Sequence, residues 1–109
     1  MEPFAAVAQP TRREILRLLS RRELSAGEIA SHFAVTQPAI SQHLKVLKDV
    51  GLLNERRDGT RRLLSVRAEG LEDLHTFLAE VLPPGLERLK QAAEEEERSG
   101  RNTRRAKRN

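Results

Sequence analysis

The 109-residue chain contains no cysteine, which excludes disulfides, thiolate metal sites and thiol redox sensing. It has no apolar run long enough for a membrane span and no leader of the signal-peptide kind, so a soluble, cytoplasmic protein is the expectation. No nucleophile-base arrangement, phosphate-cradling glycine loop or metal-ligand cluster is legible; neither an enzyme nor a bound cofactor is expected. The length suits one domain near the size where a single core begins to suffice, so help from a partner copy is expected as well.

Acids are missing from one end. Arg98 to Asn109 holds six bases and no acid, so residues 1–97 keep fourteen bases against sixteen acids, a net charge of −2. Residues 1–97 read as the folded domain. Residues 98–109 read as a basic, disordered tail, lacking the apolar surface to offset chain entropy. Within the body the bases gather at Arg12/Arg13, Arg21/Arg22, Lys45/Lys48 and Arg56/Arg57/Arg61/Arg62, and the acids at Glu94 to Glu97. An electropositive face of this kind points to nucleic acid.

What is present is mostly helical. "EPFAAVAQ" spaces Phe4, Val7 and Ala8 as a short apolar helix whose free face needs a second surface. "PTRREILRLLSRRELS" predicts a helix over residues 10–21 on Ile15, Leu16, Leu18 and Leu19, with Pro10 in the first turn. Ser25 and Glu28 form the sequence pattern of a capping box and predict a helix over 26–33. After the tight turn "AVT", Thr36 is a good N-cap and Pro38 suits a first turn, predicting a third core helix from Gln37 to about Val50, stopped by Gly51. "LLNERRDGTRRLLSV" reads as a hairpin around Asp58-Gly59 with a charged tip and an apolar base. From Gly70 a helical stripe runs through Leu71, Leu74, Leu78 and Val81/Leu82 with Phe77 beside it, until Pro83-Pro84 interrupts. Leu86, Leu89 and Ala92/Ala93 resume it.

On the Gln37 helix the stripe Ile40, Leu44, Leu47 points inward and leaves Gln37, Ser41, Gln42, Lys45 and Lys48 outside. Short donors and acceptors in the first half of a helix that follows another by a tight turn suit the reading of base edges in a major groove, and lysines further along can meet phosphates. A solvated helix face is the ordinary fate of such a stripe. Here the capped preceding helix, the basic hairpin and the absence of acid before Asp49 together favour DNA.

These segments carry a resemblance. "PTRREILRLL", "ELSAGEIASHFAVTQPAISQHLKVLKDVGLL" and "RRDGTRRLLSV" resemble the winged helix-turn-helix repressors of the ArsR/SmtB family, and the metal-independent branch in particular, over about Phe4 to Leu82. The resemblance implies a mainly α fold with a small β-hairpin, dimerised through its first and last helices. It implies a sequence-specific transcriptional regulator, a homodimeric repressor occluding a palindromic promoter site on double-stranded DNA. Carried over by residue, Gln37, Ser41 and Gln42 would read bases, Thr36, Lys45 and Lys48 would meet phosphates or backbone, and Arg56, Arg57, Arg61 and Arg62 would form the contacts of the wing. Phe4, Val7, Leu74, Phe77, Leu78 and Leu82 would lie at the dimer interface. His43 would pack or hydrogen-bond toward the interior.

Departures from the family matter too. Where metal sensors carry a cysteine pair before the recognition helix, this chain has "ELSAGEI", with Ser25 and Gly27 at those positions. Asp73-Leu74-His75 matches half of a second family site, but Leu86 and Leu89 stand where its completing ligands belong, so no metal is expected. Gln9 replaces the usual Asp before Pro10, which predicts a weaker cap. Pro83-Pro84 predicts a kink or a separate helix. Competing readings are a protein-interaction module using the winged helix as scaffold, and RNA or ribosome binding through the basic tail.

Overall fold

The computed structural model of the protein describes residues 1–85 and 91–97. The tail 98–109 and the positions Leu86 and Leu89 lie outside the described residues. Two units are distinguished, Met1–Phe77 and the residues from Leu78 onward. In chain order the elements are α1 (Pro3–Val7), α2 (Pro10–Leu19), α3 (Ala26–Ala30), α4 (Gln37–Asp49), β1 (Leu53–Asp58), β2 (Arg61–Val66) and α5 (Ala68–Val81).

Each of the first four helices starts where a side chain can satisfy a free amide. The Glu2 carboxylate accepts from Ala5 N at 2.8 Å, ahead of Pro3. Gln9 Oε1 accepts from Arg12 N at 2.9 Å, so the residue predicted to weaken the α2 cap reaches the first turn and performs the capping itself. Ser25 Oγ accepts from Glu28 N at 3.2 Å while Glu28 Oε1 accepts from Ser25 N at 3.1 Å, the reciprocal box expected there. Its helix ends earlier than the periodicity suggested. α3 stops at Ala30, and the amides of His32 and Phe33 turn back to Ile29 O and Ala30 O in tighter three-residue steps.

α4 ends in a Schellman arrangement. Gly51 adopts φ +81°, Leu52 N donates to Leu47 O at 2.9 Å and Gly51 N donates to Lys48 O at 3.0 Å. The accompanying apolar contact is supplied by Leu47 and Leu52, both fully buried. The chain thereby leaves the helix pointed into β1. The hairpin pairs Leu53 with Val66 and Asp58 with Arg61, so Gly59 and Thr60 form the loop, one residue later than the Asp58-Gly59 turn read from the sequence. Gly59 has φ +66° and no non-glycine residue has a positive φ among the described residues. A positive angle at the first loop position alone is the demand of a type II′ turn.

The core of the first unit is built from α2, α3, α4 and the base of the hairpin. Ile15, Leu24, Ile29, Ile40, Leu47 and Leu52 are fully buried at its centre, each contributing about 1.5–3 kcal/mol of transfer free energy. Leu24 also extends the hairpin: its amide donates to Leu64 O at 3.2 Å and accepts in return at 2.8 Å through its carbonyl. That bridge anchors β2 to the segment before α3. In the second unit, α5 stops at Val81 ahead of Pro83 and Pro84, and residues 91–97 are helical again. Among the described residues no helix is long and apolar enough to cross a membrane.

Candidate nucleic-acid interface

α3, the turn through Val35 and α4 make a helix-turn-helix, and the β1–β2 hairpin follows α4 as a wing. The fold is therefore a winged helix-turn-helix. α4 is held at its start by Thr36, whose Oγ1 accepts from Ala39 N at 3.3 Å, and by Pro38 in the first turn. Ile40, Leu44 and Leu47 are buried beneath it. Thr36, Gln37, Ser41, Gln42, Lys45 and Lys48 are all exposed, on a helix whose other side is committed to the core.

His43 sits between those faces, half-buried. Its Nδ1 accepts from Arg12 Nε at 3.2 Å, and the same guanidinium donates through Nη1 to Ala6 O at 3.4 Å. One arginine of α2 thus ties α1 to α4. Desolvation first, and the nearby Arg12 charge second, hold the His43 pKa below its ordinary value. A hydrogen-bonding position was expected for this histidine; its partner, 31 residues away, was not legible from spacing.

The basic residues grouped by sequence behave differently from one another in space. Lys48 pairs with Glu55 of β1 at 3.3 Å. Arg56 grips Glu23 through two bonds, Nε to Oε2 at 2.7 Å and Nη2 to Oε1 at 2.9 Å, and Arg61 pairs with Glu28. The hydrogen bond from Arg56 is the main reason the Glu23 carboxyl sits below its usual range. Glu28 is lowered chiefly by the Ser25 amide, then by the Ser25 hydroxyl, with Arg61 adding a smaller contribution. Arg57 and Arg62 face each other across the strands. Sequence reasoning treated the wing arginines as one group and missed Glu23 and Glu28 as their partners.

At the positions where metal-sensing relatives carry cysteines, this chain offers no thiolate. Ser25 spends its hydroxyl on the α3 cap and Gly27 has no side chain. Asp73 and His75 are both exposed on α5. Among the described residues no three His, Cys, Asp or Glu side chains gather as an ion would require.

Of the residues expected at a dimer interface, Leu74 is 7% exposed and belongs to the chain's own core, while Phe4 and Val7 are half-buried against that core. Phe4 meets Phe77 edge to face at a centroid distance of 5.0 Å. Large apolar surface remains on α5 and just beyond it, where Phe77, Leu78, Val81 and Leu82 are 48%, 46%, 59% and 40% exposed.

Known proteins share this arrangement. The transcriptional repressor SdpR of Bacillus subtilis is 35% identical over 82 residues, which are 75% of this chain and 91% of that protein. A crystal structure described as a possible transcriptional regulator for arsenical resistance superposes with a TM-score of 0.68 at 35% identity, covering 81% of this chain and 92% of that one. The solution structure of a homodimeric winged helix-turn-helix DNA-binding domain from Mycobacterium bovis, itself a possible ArsR-family regulator, gives 0.59 at 31% identity over 71% of each chain. Residues 9–55, from the α2 cap through α4 into the wing, match the family described as bacterial regulatory protein, arsR family. With fold, exposed helix face and relatives in agreement, this chain belongs to the arsR family of bacterial DNA-binding transcriptional regulators.

Proposed function

We infer that the protein is a homodimeric, metal-independent repressor that occludes a palindromic promoter site, acting in the cytoplasm. The observation that carries this reading is the exposed set Gln37, Ser41 and Gln42 on the first half of α4, directly after a tight turn and beside a basic hairpin. Amide and hydroxyl groups at such a place match the donor and acceptor pattern of major-groove base edges. Thr36 and Lys45 flank them at phosphate-reaching positions, and Lys48 reaches one only on release of Glu55. Two copies related by a two-fold axis would place two such helices one helical turn of DNA apart, which is why a palindrome is the expected target.

Dimerisation is supported by the exposed large apolar side chains on and just beyond α5, of a kind that marks interaction surfaces. The homodimeric state of the Mycobacterium bovis neighbour agrees with it. Metal independence is supported by the commitment of Ser25 to capping and by the missing side chain at Gly27. Relatives named as transcriptional regulators favour no enzymatic role.

The test is selection from random duplex DNA by the purified protein, run with zinc and, separately, with a chelator. An enriched palindrome unchanged by either addition is the expected result. Salt-dependent binding without any enriched sequence would remove the repressor reading, and binding altered by zinc would remove the metal-independent one. On the selected duplex, Gln42→Ala should lose about 1–3 kcal/mol of discrimination against random DNA. Equal losses on both duplexes would take Gln42 out of base reading.

A further inference from the structure

The wing carries four arginines within seven residues, Arg56, Arg57, Arg61 and Arg62, and the register divides them into two pairs. Side chains alternate along a strand, and opposite residues share a face. Arg57 and Arg62 are opposite one another, on the face that also carries Leu53, Glu55 and Leu64. Glu55 on that face is the residue that touches Lys48 of α4, so it is the face turned toward the recognition helix. Arg56 and Arg61 lie on the other face, where Glu23 and Glu28 receive them.

The two pairs differ in what surrounds their charge. Arg56 is held by a two-pronged contact to Glu23, the geometry in which an exposed ion pair is worth most. Arg61 is held by a carboxylate that also receives the Ser25 amide, so hairpin and α3 start share one anchor. Leu63, opposite Arg56 in the register, is buried although it stands outside the core cluster, a position that the stem of an anchored arginine can cover. Arg57 and Arg62 have no ion-pair or hydrogen-bond partner among the described residues. Like charges directly opposite one another on a two-stranded ribbon oppose its folding. A polyanion laid across them removes that repulsion.

We propose that the wing arginines divide their labour: Arg57 and Arg62 form a two-armed clamp for phosphates of the duplex read by α4, while Arg56 and Arg61 are positioning residues that fasten the hairpin to Glu23 and Glu28 and stay off the DNA. The proposal rests on the DNA-binding reading above and sharpens it. It also turns two acids near a DNA-binding surface into contributors to binding. Glu23 and Glu28 set the tilt of the wing, and with it the reach of Arg57 and Arg62.

Counting phosphates tests it. Each neutralised phosphate contributes about 0.9 to the slope of log affinity against log salt. Binding of the full chain to its selected duplex is measured between low and moderate salt for Arg57→Gln, Arg62→Gln, Arg56→Gln and Arg61→Gln, with thermal midpoints of the free proteins alongside. The expected result is a slope smaller by about 0.9 for Arg57→Gln and for Arg62→Gln, with midpoints unchanged or raised. Arg56→Gln and Arg61→Gln keep the slope and lower the midpoint. Glu23→Gln, which leaves all four arginines in place, also keeps the slope, and it weakens binding at every salt concentration. Equal slope losses from all four arginines, or tighter binding by Glu23→Gln, overturn the division of labour while leaving DNA binding intact. If the unaltered protein binds duplex DNA with no salt dependence, both the division and the DNA-binding reading fall.

Discussion

His43 shows how much a single side chain can connect. As an acceptor at Nδ1 it must stay unprotonated there to hold Arg12, and protonation would set a second positive charge beside the guanidinium. Desolvation first, and the Arg12 charge second, hold its folded-state pKa below the unfolded value. The unfolded chain then binds the extra proton first, so this group's contribution to stability is complete above the unfolded histidine pKa of about 6.5 and is lost as pH falls through the folded one. The carboxylates Glu23 and Glu28, also lowered, act in a separate window below about 4.5. Thermal unfolding followed from pH 7.5 to 5.5 should show a fall in midpoint that is reduced in His43→Gln, which can still accept from Arg12 but cannot titrate. An identical pH profile for both proteins would assign the fall to another group. The histidine's burial side was legible from its neighbours in the α4 stripe; its partner was not, because nothing within four residues of His43 specifies Arg12.

At the scale of elements, the start of α5 packs closely on the chain that leaves α4. Gly70, buried in the first turn of α5, passes so close to the end of α4 that a Cβ there would lie 2.2 Å from Gly51 O and 3.1 Å from a Leu52 methyl. The same Gly51 carbonyl accepts from Arg67 Nη1 at 3.2 Å, and Arg67 N donates to Leu52 O at 2.9 Å. In an open helix, alanine would improve on glycine by roughly 1 kcal/mol. Here the added methyl meets backbone that cannot step aside, and overpacking of that kind costs about 1–3 kcal/mol. The clash wins. Gly70→Ala should lower stability by ~1–2 kcal/mol, a midpoint drop of several degrees for a domain of this size. A raised midpoint would mean that α5 is free to shift away from α4. Read from sequence, Gly70 was only the residue from which a helical stripe began, since close approach of two backbones leaves no mark on periodicity.

At the scale of the whole molecule, half-exposed apolar side chains on α5 and a domain near the lower size for self-sufficiency both favour a second copy. Val81, 59% exposed, is the cleanest probe, because Phe77 also packs on Phe4 and Leu74 already belongs to the core. Sedimentation of the intact chain at micromolar concentration should give a dimer. Val81→Asp should shift it to monomer and weaken binding to a palindromic duplex far more than binding to a half-site, with the thermal midpoint of the monomer showing whether the fold survives. A dimer unaffected by the charge would place the interface elsewhere.

The starts of α2, α3 and α4, the glycine stop at Gly51, the hairpin and the polar outward face of α4 were all determined by sequence alone. Each depends on residues within about four positions of one another: a cap and the amide it serves, an apolar stripe and its period, a turn and its glycine. The tertiary structure decided the rest. It moved the hairpin loop to Gly59-Thr60, bridged Leu24 to Leu64, packed Leu74 into the chain's own core, and joined Arg56 to Glu23 and Arg61 to Glu28 across 33 residues each. Which bases of a charged cluster remain free for an anion depends on whether packing brings an acid within reach. Spacing along the chain carries no record of that distance.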